Sequence, residues 1–153
     1  MKTQGRPFEI LLVEDNEDHA EIVMRSFRDY RVANNLRVVA DGEAALDFLF
    51  HRGAYRDPMR SPRPDVILLD LRLPGIDGWT VLKEIKQTEQ LLRIPVVVLT
   101  SSDNSVDIAQ AYDLHANSYL VKPVDFVKFT GLMKDLGFYW LGWNVNPYSH
   151  GPV

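Results

Sequence analysis

The chain has 153 residues, 46% of them hydrophobic and 25% charged, which suits one domain with a single core and excludes a disordered or fibrous protein. A net charge of −4 with no extended Lys/Arg cluster argues against nucleic acid as the main partner. The absence of Cys removes disulfides and thiolate metal sites and fits a reducing cytosol, and no apolar run is long enough to span a bilayer.

In chain order, "EILLVE" (9–14) predicts a buried strand. The helix after it carries Ala20, Val23, Met24 and Phe27 at i, i+3, i+4, i+7, with Asn16 able to cap it. "LRVVA" (36–40) predicts a second strand and "GEAALDFLF" (42–50) a second helix. The stretch "HRGAYRDPMRSPRPD" reads as a long loop. Its arginines are interrupted by Asp57 and turn formers, so it is a solvated connection rather than a phosphate-binding surface. "VILLD" (66–70) is a run of four aliphatic residues ending on a carboxylate, as expected of a strand covered on both faces. A helix over 79–92, a strand over 94–100, a helix over 104–114, a short strand over 117–121 and a last helix over 125–136 complete the alternation. Phe129, Leu132, Met133 and Leu136 share one face of that last helix.

Strands alternating with helices imply right-handed βαβ units, hence one doubly wound α/β domain with a five-stranded parallel sheet and helices on both faces. Strand ends at "VED" (13–15), "LLD" (68–70), "VLT" (98–100) and "YLVK" (119–122) turn polar where the apolar run stops. In such a sheet, ligands bind at the carboxyl ends of the strands, so Glu14, Asp15, Asp70, Thr100 and Lys122 are expected to gather there. Three carboxylates against one ammonium either raise a carboxyl pKa or recruit a cation. Hard oxygen donors favour Mg²⁺, an ion that uses one or two carboxylates together with phosphate oxygens. In this reading Asp70 is a nucleophile toward phosphorus, Lys122 and the metal offset charge on the phosphoryl oxygens, and Thr100 donates its hydroxyl to the product.

"ILLVEDN", "VILLDLRLPGIDGW", "VVVLTSS" and "YLVKPVDF", in this order, resemble the receiver domain of two-component response regulators over about residues 8–136. The resemblance implies a flavodoxin-like fold, Asp70 as phosphoacceptor, and Glu14, Asp15, Asp70 and the Arg72 backbone carbonyl as Mg²⁺ ligands. It further implies Thr100 and Lys122 as phosphate-contacting groups, Tyr119 as the switch aromatic, and a cis peptide bond before Pro123. Glu14 departs from the common Asp at its position. A histidine kinase is the implied donor, and the implied activity is self-phosphorylation and self-dephosphorylation rather than enzymatic turnover.

After the last helix only about 17 residues follow, so residues 8–136 are expected to be the whole functional domain and 137–153 an aromatic tail without an output domain. The long loop before the third strand and "FYWLGWN" resemble stand-alone regulators of phytochrome kinases. The tail's Phe138, Tyr139, Trp140, Leu141 and Trp143 suggest a homodimer formed through the tail or the last helix, with no nucleic-acid or membrane partner and a cytoplasmic location. Two other functions stay open: a receiver-like module that binds partners without phosphorylation, and an aspartyl-phosphate hydrolase of the dehalogenase-like class. The second lacks its acid-base Asp, because Arg72 stands two residues after Asp70. A flavin site is the weaker third option, since "EDNEDH" would repel a phosphate. His19, His51, His115 and His150 show no ligand spacing and read as ordinary polar positions.

Overall fold

A computed structural model describes residues 7–29 and 34–143, with backbone only for 142 and 143. Five strands, β1 (Phe8–Val13), β2 (Asn34–Val39), β3 (Val66–Leu69), β4 (Val96–Thr100) and β5 (Ser118–Val121), form one sheet in the order β2-β1-β3-β4-β5. All four pairings are parallel. Five helices connect and follow them: α1 (Glu17–Arg28), α2 (Gly42–Phe50), α3 (Gly78–Gln87), α4 (Ser105–Asp113) and α5 (Phe126–Gly137). The chain winds from β1 to β2 on one side and then through β3, β4 and β5 on the other, so the order reverses between β1 and β3, the position where sheets of this kind bind ligands.

The central strands carry apolar residues on both faces, with Glu9 and Thr100 the exceptions, because each face packs a separate helical layer. Leu11, Val13, Ile67, Leu69, Val96 and Val98 point to a core shared with α2, α3 and Ala111 of α4. Their alternates Ile10, Leu12, Val66, Leu68, Val97 and Leu99 point to a second core with Ala20, Val23 and Phe27 of α1 and Phe129, Met133 and Leu136 of α5. Each helix starts on an Asn or Asp cap whose side chain accepts a backbone N–H of the first turn: Asn16, Asp41, Asp77, Asn104 and Asp125. Such a cap is worth about 1 kcal/mol.

Most boundaries fall within two residues of the sequence expectation, and two places differ more. α3 stops at Gln87 rather than 92, since Thr88 turns extended (ψ 122°), its hydroxyl bonds back to the Glu84 carbonyl at 2.7 Å, and its N–H bonds to Ile85. Lys86 then secures the turn that follows, donating to the Leu92 and Ile94 carbonyls and to Asn117 Oδ1 at 3.1, 2.8 and 3.3 Å. At the chain's end, α5 does not give way to a separate tail. It continues as a π-type turn over Phe138–Trp143 that tucks Trp140 and Leu141 into the α1/α5 core and leaves Phe138 and Tyr139 exposed. The Trp143 side chain and residues 144–153, His150 among them, lie outside the described residues.

No described peptide bond is cis, so the expected cis bond before Pro123 is corrected to trans. Trans is the intrinsically lower-energy isomer for X-Pro, by about 0.5–1 kcal/mol. No helix among the described residues is long and apolar enough to cross a membrane.

Candidate functional site

Glu14, Asp70 and Lys122 each sit one residue past a parallel strand and Thr100 is the last residue of β4, while Asp15 and Arg72 follow in the loops and Tyr119 lies within β5. The sheet's hydrogen bonding continues through these residues: Glu14 N donates to Val39 O at 3.0 Å, Asp70 N to Val13 O at 3.0 Å, and Lys122 N to Thr100 O at 2.7 Å. Three backbones are thereby held by neighbouring strands before any side-chain contact forms. Asp70 is fixed from below as well. Gly78, at the start of α3, approaches so closely that a Cβ there would lie 2.3 Å from the Asp70 carbonyl oxygen and 2.5 Å from Leu71 Cα. Only glycine lets α3 begin this close to the end of β3.

The side chains converge as the sequence predicts. Glu14, Asp15 and Asp70 each bring one carboxylate oxygen within 4.8 Å of the others. Glu14, Asp70, Thr100 and Lys122 are buried, while Asp15 faces solvent. The Lys122 ammonium donates to Glu14 Oε1 at 2.5 Å and to Asp70 Oδ2 at 2.8 Å. Asp70 Oδ1 accepts the Arg72 backbone N–H at 3.1 Å, and Glu14 Oε2 accepts that of Asn16 at 3.1 Å. Burial pushes Glu14 up to about 7, against the opposing pull of Lys122. The cluster therefore carries more negative charge than one ammonium satisfies, and its donors are all hard oxygens, a set that fits a divalent cation.

The Thr100 hydroxyl is buried without a hydrogen-bond partner, which is costly for a polar group. Toward α4, Tyr119 packs half-buried against the α2/α3 core, and its hydroxyl donates to the Ser102 carbonyl at 2.8 Å. Burial raises its pKa. Ser102 in turn donates to Asp107 Oδ2 at 2.7 Å. The β4–α4 loop thus links Thr100 to Tyr119 through one short segment.

One residue at the site was not expected. His19 Nδ1 lies 3.0 Å from Lys122 Nζ, making the imidazole a third partner of the ammonium. The available signal was positional: His19 stands four residues after Asp15 in the first turn of α1, at the same sheet edge. Of the other histidines, His51 ends α2 in the left-handed region (φ 55°) with Nε2 2.8 Å from the Ser61 carbonyl, and His115 also has positive φ (71°). Both serve turns.

Comparison with known proteins agrees with this geometry. The sequence matches the response regulator receiver domain family over residues 10–134. It is 46% identical over 142 residues to the probable methanogenesis regulatory protein FilR2 of Methanothrix harundinacea, covering 92% of this chain and 88% of FilR2. It is 42% identical over 135 residues to the response regulator Rcp1 of Synechocystis, covering 88% and 90%. The Mn²⁺-bound structure of Rcp1 superimposes with a TM-score of 0.88 at 41% identity, over 92% of this chain and 99% of that one. The phosphorylated cyanobacterial phytochrome response regulator RcpA gives 0.88 at 38% identity, over 93% and 99%. With its acidic crevice, its parallel sheet and a family match over most of its length, the chain belongs to the response regulator receiver domains.

Proposed function

We propose that Asp70 accepts a phosphoryl group from a phosphohistidine of a histidine kinase. A carboxylate oxygen attacks phosphorus, the N–P bond breaks, and the imidazole leaves with the bonding pair. The observation that carries this reading is the buried Asp70, held through one oxygen by Lys122 and through the other by the Arg72 N–H, beside two further carboxylates. Glu14, Asp15 and Asp70, together with the Arg72 carbonyl, would hold a Mg²⁺ ion, which offsets charge on the phosphoryl oxygens. Lys122 orients Asp70 and offers a cation to the transferred group. The partnerless Thr100 hydroxyl donates to the product, and its displacement draws the 100–107 loop and Tyr119 into a second arrangement.

The test is intact-mass measurement after incubation with acetyl phosphate and Mg²⁺. One added phosphoryl group is expected. Labelling that survives Asp70→Asn, or persists in excess chelator, refutes the assignment.

The similarity to the phytochrome response regulator RcpA supports a phytochrome-type kinase as the donor, and the absence of Cys fits a cytoplasmic site of action. We further propose that the protein is a homodimer through α5 and the turn after it. Val127, Gly131, Lys134 and Phe138 fall on one stripe, with Val127 and Phe138 exposed and open space above Gly131. Because Trp140 and Leu141 belong to the monomer's own core, truncation at 137 would confuse folding with assembly. Val127→Asp and Phe138→Asp should each shift sedimentation equilibrium toward monomer. A full-length monomer at about 100 μM refutes the dimer.

A further inference from the structure

The three N–H bonds of the Lys122 ammonium are all used: on Glu14 Oε1 at 2.5 Å, on Asp70 Oδ2 at 2.8 Å and on His19 Nδ1 at 3.0 Å. The first two acceptors are carboxylates of the acidic cluster and have other work to do when the site is loaded. His19 is the uncharged member, outside the cluster. It is fixed from three directions. Its backbone N–H donates to the Asn16 cap at 3.0 Å, its ring meets Phe129 edge-on at 5.4 Å and 71°, and α1 packs on α5 behind it. Burial and the neighbouring ammonium push its pKa down, and because an ammonium can only donate, the contact places the Nδ1 lone pair toward Lys122.

Beside Lys122 there is room to move. A cavity of about 240 Å³ is walled by His19, Lys122, Pro123, Phe126 and Phe129. A flexible four-carbon stem beside such a space needs an anchor that persists when the carboxylates take other partners. A charged anchor would add a fourth carboxylate to a site already rich in negative charge, whereas an imidazole adds none.

We propose that His19 is a positioning residue for phosphoryl transfer: its Nδ1 holds the Lys122 ammonium over Asp70 when Glu14 and Asp70 turn their oxygens to other partners. This rests on Asp70 being the phosphoacceptor. The hydrogen requirement is definite, since Nδ1 must be bare and Nε2 must carry the proton.

The experiment uses the full chain, Mg²⁺ and acetyl phosphate, and compares labelling rates of wild type, His19→Leu and His19→Asn, with melting curves for each. Leucine keeps the bulk and removes the acceptor. Asparagine puts an amide oxygen where Nδ1 stands. His19→Leu should label about ten-fold more slowly, the size expected for losing one hydrogen bond to a charged group, with its Mg²⁺ affinity unchanged. His19→Asn should recover to within about three-fold of wild type. If wild type labels and His19→Leu keeps pace, or if both variants are equally slow, the positioning role is overturned while Asp70 stands. If wild type itself takes no label, the phosphoacceptor reading falls, and this one with it. Should His19→Leu fail to fold, the ring nitrogens decide by heteronuclear NMR of the wild type: a bare Nδ1 whose resonance moves in Lys122→Met supports the contact, and a protonated Nδ1 overturns it.

Discussion

Replacing Lys122 with methionine keeps the length of the side chain and removes the ammonium from between Glu14 and Asp70. Lys122 and both partners are nearly inaccessible, with side-chain exposures of 3%, 1% and 9%, so the variant leaves two buried carboxylates without their counter-charge. The cost depends on pH in a way the site dictates. Glu14 already titrates near 7 in the folded protein, so at pH 6 it is protonated with or without Lys122. At that pH the variant loses chiefly what Lys122 gives to Asp70, about 1.5–3 kcal/mol for a hydrogen bond between charged groups. Above pH 7 the wild type lets Glu14 ionise against the ammonium, the variant does not, and the unfolded chain is ionised in both. The stability gap then widens by about 1.4 kcal/mol per pH unit, adding about 2 kcal/mol by pH 8.5. The total at pH 8.5 reaches the range of about 3–5 kcal/mol typical of breaking a buried ion pair by removing one partner. Urea unfolding with chelator present, followed by far-UV circular dichroism from pH 6 to 8.5, measures the gap directly. A gap that stays flat across this range, or below about 1 kcal/mol throughout, refutes the account of Lys122 as the counter-charge to two buried carboxylates.

Glu14→Gln isolates the burial of Glu14 itself. With its pKa raised from 4.5 to about 7, Glu14 contributes stability that is complete below 4.5 and lost as pH rises through 7. The metal-free wild type should therefore lose about 3 kcal/mol relative to the Gln variant between those limits, read by denaturant unfolding at each pH. Thr100→Ala removes a buried hydroxyl that has no partner, so stability should change by no more than about 1 kcal/mol. Its phosphorylation should persist, while the beryllofluoride-induced change in amide exchange over residues 100–122 disappears. Gly78→Ala forces a Cβ into the backbone of Asp70 and Leu71, and should cost about 2–3 kcal/mol in thermal unfolding and also slow labelling of Asp70.

Much of this protein was legible from its sequence because its elements obey short-range rules. The continuous apolar runs of β1, β3 and β4 reported burial on both faces, and Asn16 reported the first turn of α1. Position at a strand's end was enough to bring Glu14, Asp15, Asp70, Thr100 and Lys122 together, since a parallel sheet aligns all carboxyl ends on one edge. What tertiary structure decided were contacts between groups distant in sequence. The Lys122–His19 pair spans 103 residues and depends on how α1 packs against α5, which no local pattern records. The raised pKa of Glu14 arises from the depth at which β1 ends, with the direction open until burial was known. The end of α3 at Gln87 and the partial burial of the aromatic tail follow the same rule. Lys86 finds its acceptors on the turn before β4 and on Asn117, and Trp140 and Leu141 find room in a core built by α1 and α5. Local periodicity determines what a segment can form, and the free energy of packing against distant segments determines where it stops and which side chains it hides.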